Sequence, residues 1–242
     1  MIEISDLYKK FGDEEVLKGV NLKIGSGQTL ALIGGSGEGK SVLLKHIIGL
    51  VKPDRGNILI DGKDISHLKG RKLKDLKDRL GIVFQFGALF DSLSVYENVA
   101  FPLEEKTKLT SAQIYERVMK DLTDLGLEED RDKYPAQLSG GMKKRAALAR
   151  CLVLDPEIIF FDEPTTGLDP VIAASIYKII RNLQEKRKLT ALIVSHEIPG
   201  IFKIVDRVAM LHDGKIISVG TPEEIQATSN QTVQKFLNGE LE

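Results

Sequence analysis

The chain is poor in cysteine and has no tryptophan: a single thiol, Cys151, occurs in 242 residues. One cysteine makes an internal disulfide impossible and fits a reducing compartment. Cys151 follows Ala146, Ala147 and Leu148 in a helical-looking stretch, so it reads as a small buried core thiol. Also missing is any apolar run near the roughly 20 residues that span a bilayer. The start, Met1-Ile2-Glu3-Ile4-Ser5-Asp6, lacks the basic head and apolar core of a signal peptide. Work at a membrane is therefore expected to need another chain. An excess of either charge is lacking too, with 34 Lys+Arg against 35 Asp+Glu and a net charge of -1. Proteins that live on nucleic acid usually carry a basic excess, so no such partner is expected.

What is present is ordinary for a globular protein, with 42% hydrophobic and 29% charged residues. The length suits one α/β domain, or one domain with a small appended lobe. No repeat, low-complexity stretch or long linker interrupts it. Ile2 and Ile4, and then Val20, Leu22 and Ile24, alternate with polar residues as short strands do. Gly25-Ser26-Gly27 is a turn, and residues 29–33 form a continuous apolar strand expected at the centre of a sheet. A helix is expected over 42–50, strands around Ile58 and Ile60 and over 81–85, and a solvated, charge-rich helix over 69–79. From about 91 to 155 amphipathic helical patterns replace buried strands, with Thr110 and Gln113 placed as a capping box. This block reads as a helical subdomain inserted into an α/β core. Strand texture returns at 157–162 and 190–195, separated by an amphipathic helix over 171–186. A hairpin is expected around Asp213-Gly214, and Thr221-Pro222-Glu223-Glu224 reads as a capped helix start.

Gly34-Gly35-Ser36-Gly37-Glu38-Gly39-Lys40-Ser41, followed by Val42, matches G-x-x-x-x-G-K-[ST] in full. Glycines let successive backbone N–H groups converge on an anion, because no Cβ blocks the turn. The following helix points its positive end at the same place. Lys40 can reach the β- and γ-phosphates of a nucleotide, and Ser41 can place its hydroxyl on Mg²⁺. Average composition gives roughly a one per cent chance of this pattern in a chain of this length. The strand before it and the helix after it are the context the motif needs.

The apolar strand over 158–161 ends in Asp162-Glu163-Pro164. Two carboxylates at the tip of a buried strand are costly unless a positive group is near, and a Mg²⁺-nucleotide is the natural partner. Asp162 would orient the metal's water shell and Glu163 would polarise the attacking water. A second glycine cluster, Leu138-Ser139-Gly140-Gly141-Met142, opens another helix and presents a hydroxyl and bare backbone N–H groups. One nucleotide does not need two such ends from one chain. A simple solution is that this one serves the nucleotide of a partner subunit.

Together these motifs resemble the nucleotide-binding subunit of ABC transporters over essentially the whole chain. Leu138 to Met142 is similar to the family signature, and Gln85 matches its Q-loop glutamine. Gly167-Leu168-Asp169 matches the D-loop, Ser195-His196 the switch histidine, and Phe11 the aromatic that stacks on adenine. The resemblance implies a P-loop NTPase: a RecA-like parallel-sheet core, an N-terminal antiparallel β subdomain and the inserted α-helical signature subdomain, all one domain over 1–242. It implies a head-to-tail dimer with two sandwiched ATP molecules. Lys40 and Ser41 would hold phosphate and Mg²⁺, and Gln85 would add a metal contact. Glu163 would be the general base and His196 would contact the γ-phosphate. Ser139, Gly140, Gly141 and Asp169 would act across the interface. Two positions depart from the common pattern: Met142 replaces glutamine, and Phe11 replaces tyrosine. His46, His67 and His212 receive no role.

The run Ser139-Gly140-Gly141-Met142-Lys143-Lys144-Arg145, and Phe84-Gln85-Phe86-Gly87-Ala88-Leu89-Phe90 with the residues to Asn98 after it, resemble the ATPases of Mla/Mce-type phospholipid transporters. That resemblance implies a peripheral place on the cytoplasmic face of the inner membrane. It also implies a membrane permease docking on residues 85–98 and an Mce-type substrate-binding protein in the complex. The ATPase of a non-transport membrane machine, such as one regulating the cell wall, and the ATPase of another ABC importer remain as alternatives.

Overall fold

The computed structural model describes residues 1–240. Two sheets and an inserted helical block account for the architecture. β1 (Ile2–Phe11) and β2 (Glu14–Ile24) form the first antiparallel pair. They run ten and eleven residues, longer than the short strands expected, with register irregularities along the ladder. β3 (Thr29–Ile33) then enters the second sheet and delivers the chain through the phosphate loop into α1 (Lys40–Ile47). This helix begins two residues earlier than its apolar pattern indicates, because the left-handed turn at Gly39 (φ 98°) leads straight into it. β4 (Arg55–Ile60) and the short β5 (Lys63–Asp64) complete the first sheet in the order β2-β1-β4-β5. α2 (Gly70–Lys77) carries the charged stretch and buries only Leu76.

β6 (Leu80–Val83) stops short of the expected end, so Gln85 lies two residues beyond the strand rather than on it. The helical block follows as α3 (Val95–Lys106), α4 (Ser111–Asp124) and α5 (Gly140–Leu152). Capping boxes start the first two, Ser94 with Glu97 and Thr110 with Gln113. The chain then returns to the core through β7 (Ile158–Asp162), α6 (Pro170–Arg187) and β8 (Thr190–Val194). β9 (Arg207–His212) and β10 (Lys215–Gly220) form the hairpin, turning on Asp213 and Gly214, both at positive φ. α7 (Pro222–Gln226) and α8 (Gln231–Leu237) follow, α7 capped by Thr221 as expected.

The core sheet has the order β10-β9-β3-β8-β7-β6. It is parallel from β9 to β6, as expected of the core, and β10 pairs antiparallel with β9 as the second arm of the expected hairpin. Strand side chains alternate between faces, and both faces are covered, so the central strands read as unbroken apolar runs. Leu30, Leu32, Ile158 and Phe160 pack on the side of α1 and the first sheet. Ala31, Ile33, Ile159 and Phe161 pack on the side of α5 and α6. Cys151 is only partly buried, packed against the second of these clusters rather than sealed in it. Among the described residues, no helix is long and apolar enough to cross a membrane.

Candidate active site

In an open parallel sheet the crevice lies beyond the carboxyl ends of the strands. Four strands deliver candidate residues to that edge here: β3 runs into Gly34, β6 leads to Gln85, β7 ends at Asp162 with Glu163 next, and β8 is followed by Ser195 and His196; β9 ends at the same edge with His212. A cleft of about 890 Å³ opens there. Its walls include Gly34, Gly35, Ser36, Gly37, Gly39, Lys40, Ser41 and Val42, facing Gln85, Glu163 and His196.

Three of the loop's four glycines hold backbone conformations that favour glycine. A Cβ on Gly34 (φ 149°) would meet the carbonyl oxygen of Leu211 at 2.2 Å. Gly37 and Gly39 also hold positive φ, at 80° and 98°. Lys40 is buried and folds back over the loop, donating to the carbonyls of Gly34 at 2.9 Å and Gly35 at 2.6 Å. Burial pushes its pKa below the ordinary lysine value, against the pull of Glu163, Glu38 and Asp162. Ser41 donates through Oγ to Asp162 Oδ1 at 3.5 Å. Burial, aided by the neighbouring charge of Glu163, raises the pKa of Asp162 above the usual carboxylate value. A buried ammonium whose donors rest on backbone carbonyls and a carboxylate pushed toward its neutral form each lack a full counter-charge. A polyanion with a divalent cation supplies both. Among the described residues, no group of three or more His, Cys, Asp and Glu could hold a metal alone. A serine hydroxyl beside one carboxylate suits an ion that is completed by phosphate and water instead.

Glu163 sits at φ 49°, a left-handed conformation uncommon outside glycine. Its Oε2 accepts from Gln85 Nε2 at 3.2 Å and from Thr166 Oγ1 at 2.9 Å, while His196 Nδ1 lies 3.2 Å from Oε1. One carboxylate therefore gathers the chain segments after β6, β7 and β8.

Other expected residues stand apart from the cleft. Phe11 ends β1, half exposed, with the Lys9 ammonium 5.2 Å from its ring centroid. Ser139 caps α5, accepting from the Met142 N–H at 3.3 Å, with Gly140 and Gly141 in the first turn. Asp169 caps its own helix, accepting from the N–H groups of Val171 and Ile172 at 3.0 Å each. Glu38 turns its side chain away from the cleft to the β9–β10 hairpin, where it meets His212 and the Asp213 N–H. Residues with no assignment from sequence also line the cleft: Val16, Thr166, Ile198 and, from the last helix, Phe236 and Leu237. Thr166 had a usable signal, a hydroxyl three residues after an acidic strand end. Phe236 and Leu237 had none, because they lie on the last helix, far in sequence from the phosphate loop and the acidic strand end.

The family profile described as ABC transporter matches residues 17–166. The chain is 44% identical over 98% of its length to a probable ribonucleotide transport ATP-binding protein of Mycobacterium tuberculosis, spanning 66% of that protein. It is 41% identical over 99% of its length to the intermembrane phospholipid transport ATP-binding protein MlaF of Haemophilus influenzae, spanning 91% of it. Among solved structures, a dimeric ATP-binding cassette in a post-hydrolysis state with ADP and Pi superposes with a TM-score of 0.83. That match has 32% identity and covers 92% of this chain and 99% of the other. With the phosphate loop, acidic strand end and inserted helical block in the family's order, this chain belongs to the ABC transporter family as an ATP-binding cassette.

Proposed function

We propose that this chain binds and hydrolyses ATP as one half of a head-to-tail pair and drives phospholipid movement through a separate membrane permease. The observation that carries this is the convergence of Lys40, Ser41, Gln85, Glu163 and His196 on one cleft, with Ser139 and Asp169 displayed outside it. The backbone N–H groups of residues 34–41 and the Lys40 ammonium hold the phosphates. Mg²⁺, held by Ser41 with Asp162 and Gln85 nearby, offsets the phosphate charge when bound. Glu163 takes a proton from the attacking water, and His196 meets the γ-phosphate. The first turn of α5, with Ser139, Gly140 and Gly141, closes the site of the other copy, as does Asp169. Phe11 stacks on the base.

The lipid reading is favoured by the fuller match to MlaF, of which the chain spans 91%, over the mycobacterial relatives, of which it spans 66%. Residues 85–98 receive the permease: Phe86 and Phe90 are exposed there, Phe86 at 87%, and Phe84 just before them is exposed as well. An Mce-type substrate-binding protein completes the complex, and the subunit works at the cytoplasmic face of the inner membrane. Purification of the native complex tests this. Recovery of an Mce-type protein with bound phospholipid is expected. A complex with a nucleotide-importing or cell-wall-regulating permease would overturn the lipid assignment.

A further inference from the structure

Lys144 lies on α5, between the first turn at Ser139 and the body of the helix, and it is buried at 8% exposure. A lysine is seldom buried without a carboxylate partner. Among the described residues Lys144 forms no ion pair; its Nζ donates to the backbone carbonyl of Gln85 and, at 3.4 Å, to that of Glu163. Burial lowers its pKa, and the charges of Glu197 and Glu163 oppose that shift. An aliphatic side chain would fill the same space without desolvating a charge, so the ammonium is there for the two carbonyls it holds.

Those carbonyls belong to two residues already joined through their side chains, Gln85 Nε2 to Glu163 Oε2. Lys144, Gln85 and Glu163 thus form a closed ring of hydrogen bonds. The same helix holds the following residues as well. Arg150 donates to Gly87 O at 3.0 Å and Ala88 O at 2.7 Å. Three carbonyls of the segment 85–88 are therefore fastened to α5, although that segment leaves the core from β6. Glu163 and Ala88 both hold positive φ, at 49° and 48°. Conformations of that kind persist only where their surroundings over-determine them.

We infer that Lys144 is a positioning residue that transmits displacement of α5 and the 85–88 segment to Glu163. Resting on the residue roles proposed above, this makes one buried ammonium the mechanical link between the helix facing the partner copy, the loop facing the permease and the general base. The phosphate loop takes no part in the ring, so nucleotide binding is separable from it.

The test measures Mg²⁺-ATP turnover by the full chain, with thermal unfolding alongside. Lys144→Met is expected to lower kcat about tenfold while KM for ATP stays within twofold, and Lys144→Arg is expected to recover most of the loss. In a Glu163→Gln background, Lys144→Met is expected to keep ATP-dependent dimerisation. If Lys144→Met does not fold, Lys144→Gln decides: reduced kcat at unchanged KM supports the link. Wild-type kcat in either neutral variant overturns it. So does a loss shared equally by kcat, KM and melting temperature without recovery by arginine. Full turnover in Glu163→Gln alone would instead overturn the catalytic reading on which the inference rests.

Discussion

His212 Nδ1 donates to Glu38 Oε1 across 2.7 Å, fastening the phosphate loop to the β9–β10 turn. The second carboxylate oxygen accepts from the Asp213 N–H. The turn is in turn joined to β2, where the Lys18 N–H donates to Gly214 O at 2.8 Å and the Lys18 ammonium pairs with Asp213. Glu38 holds the loop's outer side in shape through its side chain, leaving its backbone for the anion.

Replacing either partner should loosen the loop more than the protein. His212→Ala removes one hydrogen bond of about 1 kcal/mol, roughly a fivefold change in an equilibrium, and Glu38→Ala removes that one and the bond from the Asp213 N–H, so its effect is at least as large. ATP affinity is expected to fall by about that factor with kcat little changed. A nucleotide-binding titration beside steady-state kinetics checks both parts.

Glu163→Gln keeps the size and the contacts with Gln85 and Thr166 but removes the base. Loss of a general base costs roughly 10²- to 10⁴-fold in rate. Turnover is expected to drop by that order while ATP binding persists. His196→Ala should also lower kcat, since its ring stands 3.2 Å from the same carboxylate. Phosphate-release kinetics under saturating ATP distinguish a catalytic loss from a binding loss.

The glycines of the loop are not equivalent. Gly34→Ala places a methyl 2.2 Å from Leu211 O, a backbone atom that cannot yield without moving β9. Gly37→Ala meets nothing within 4 Å and bears only the cost of a left-handed residue, about 1–2 kcal/mol. Gly34→Ala should abolish ATP binding and lower the melting temperature, whereas Gly37→Ala should fold with a modest loss. Thermal unfolding with and without nucleotide separates the two.

His46 makes stability pH-dependent. It is 1% exposed, its Nδ1–H donates to Val42 O at 2.7 Å, and among the described residues its buried Nε2 has no hydrogen-bond partner. Burial lowers its pKa from 6.5. Below pH 6.5 the unfolded chain binds a proton that the folded chain does not. Stability therefore falls as pH drops below 6.5, toward the folded pKa, by at most about 1.4 kcal/mol per unit. His46→Leu should flatten that part of the curve in melting temperatures measured from pH 7.5 to 5.

Local chemistry made much of this protein legible from its residues. The loop 34–41 is recognisable because convergent N–H groups demand glycine, lysine and serine at set spacing. The caps at Thr110 and Thr221 announce themselves because a helix end needs a side-chain acceptor. Strands 29–33 and 158–162 read as central because both of their faces are covered. What sequence order alone determined was therefore the identity of the elements and the phosphate site. Tertiary structure decided the rest. It turned Glu38 away from the cleft to His212 and brought Phe236 to the cleft wall. It also buried Lys144 against Gln85 and Glu163. In a run reading Lys143-Lys144-Arg145, nothing local distinguishes the buried lysine from its less buried basic neighbours. Only the packing of α5 against the core chooses which of them faces the carbonyls.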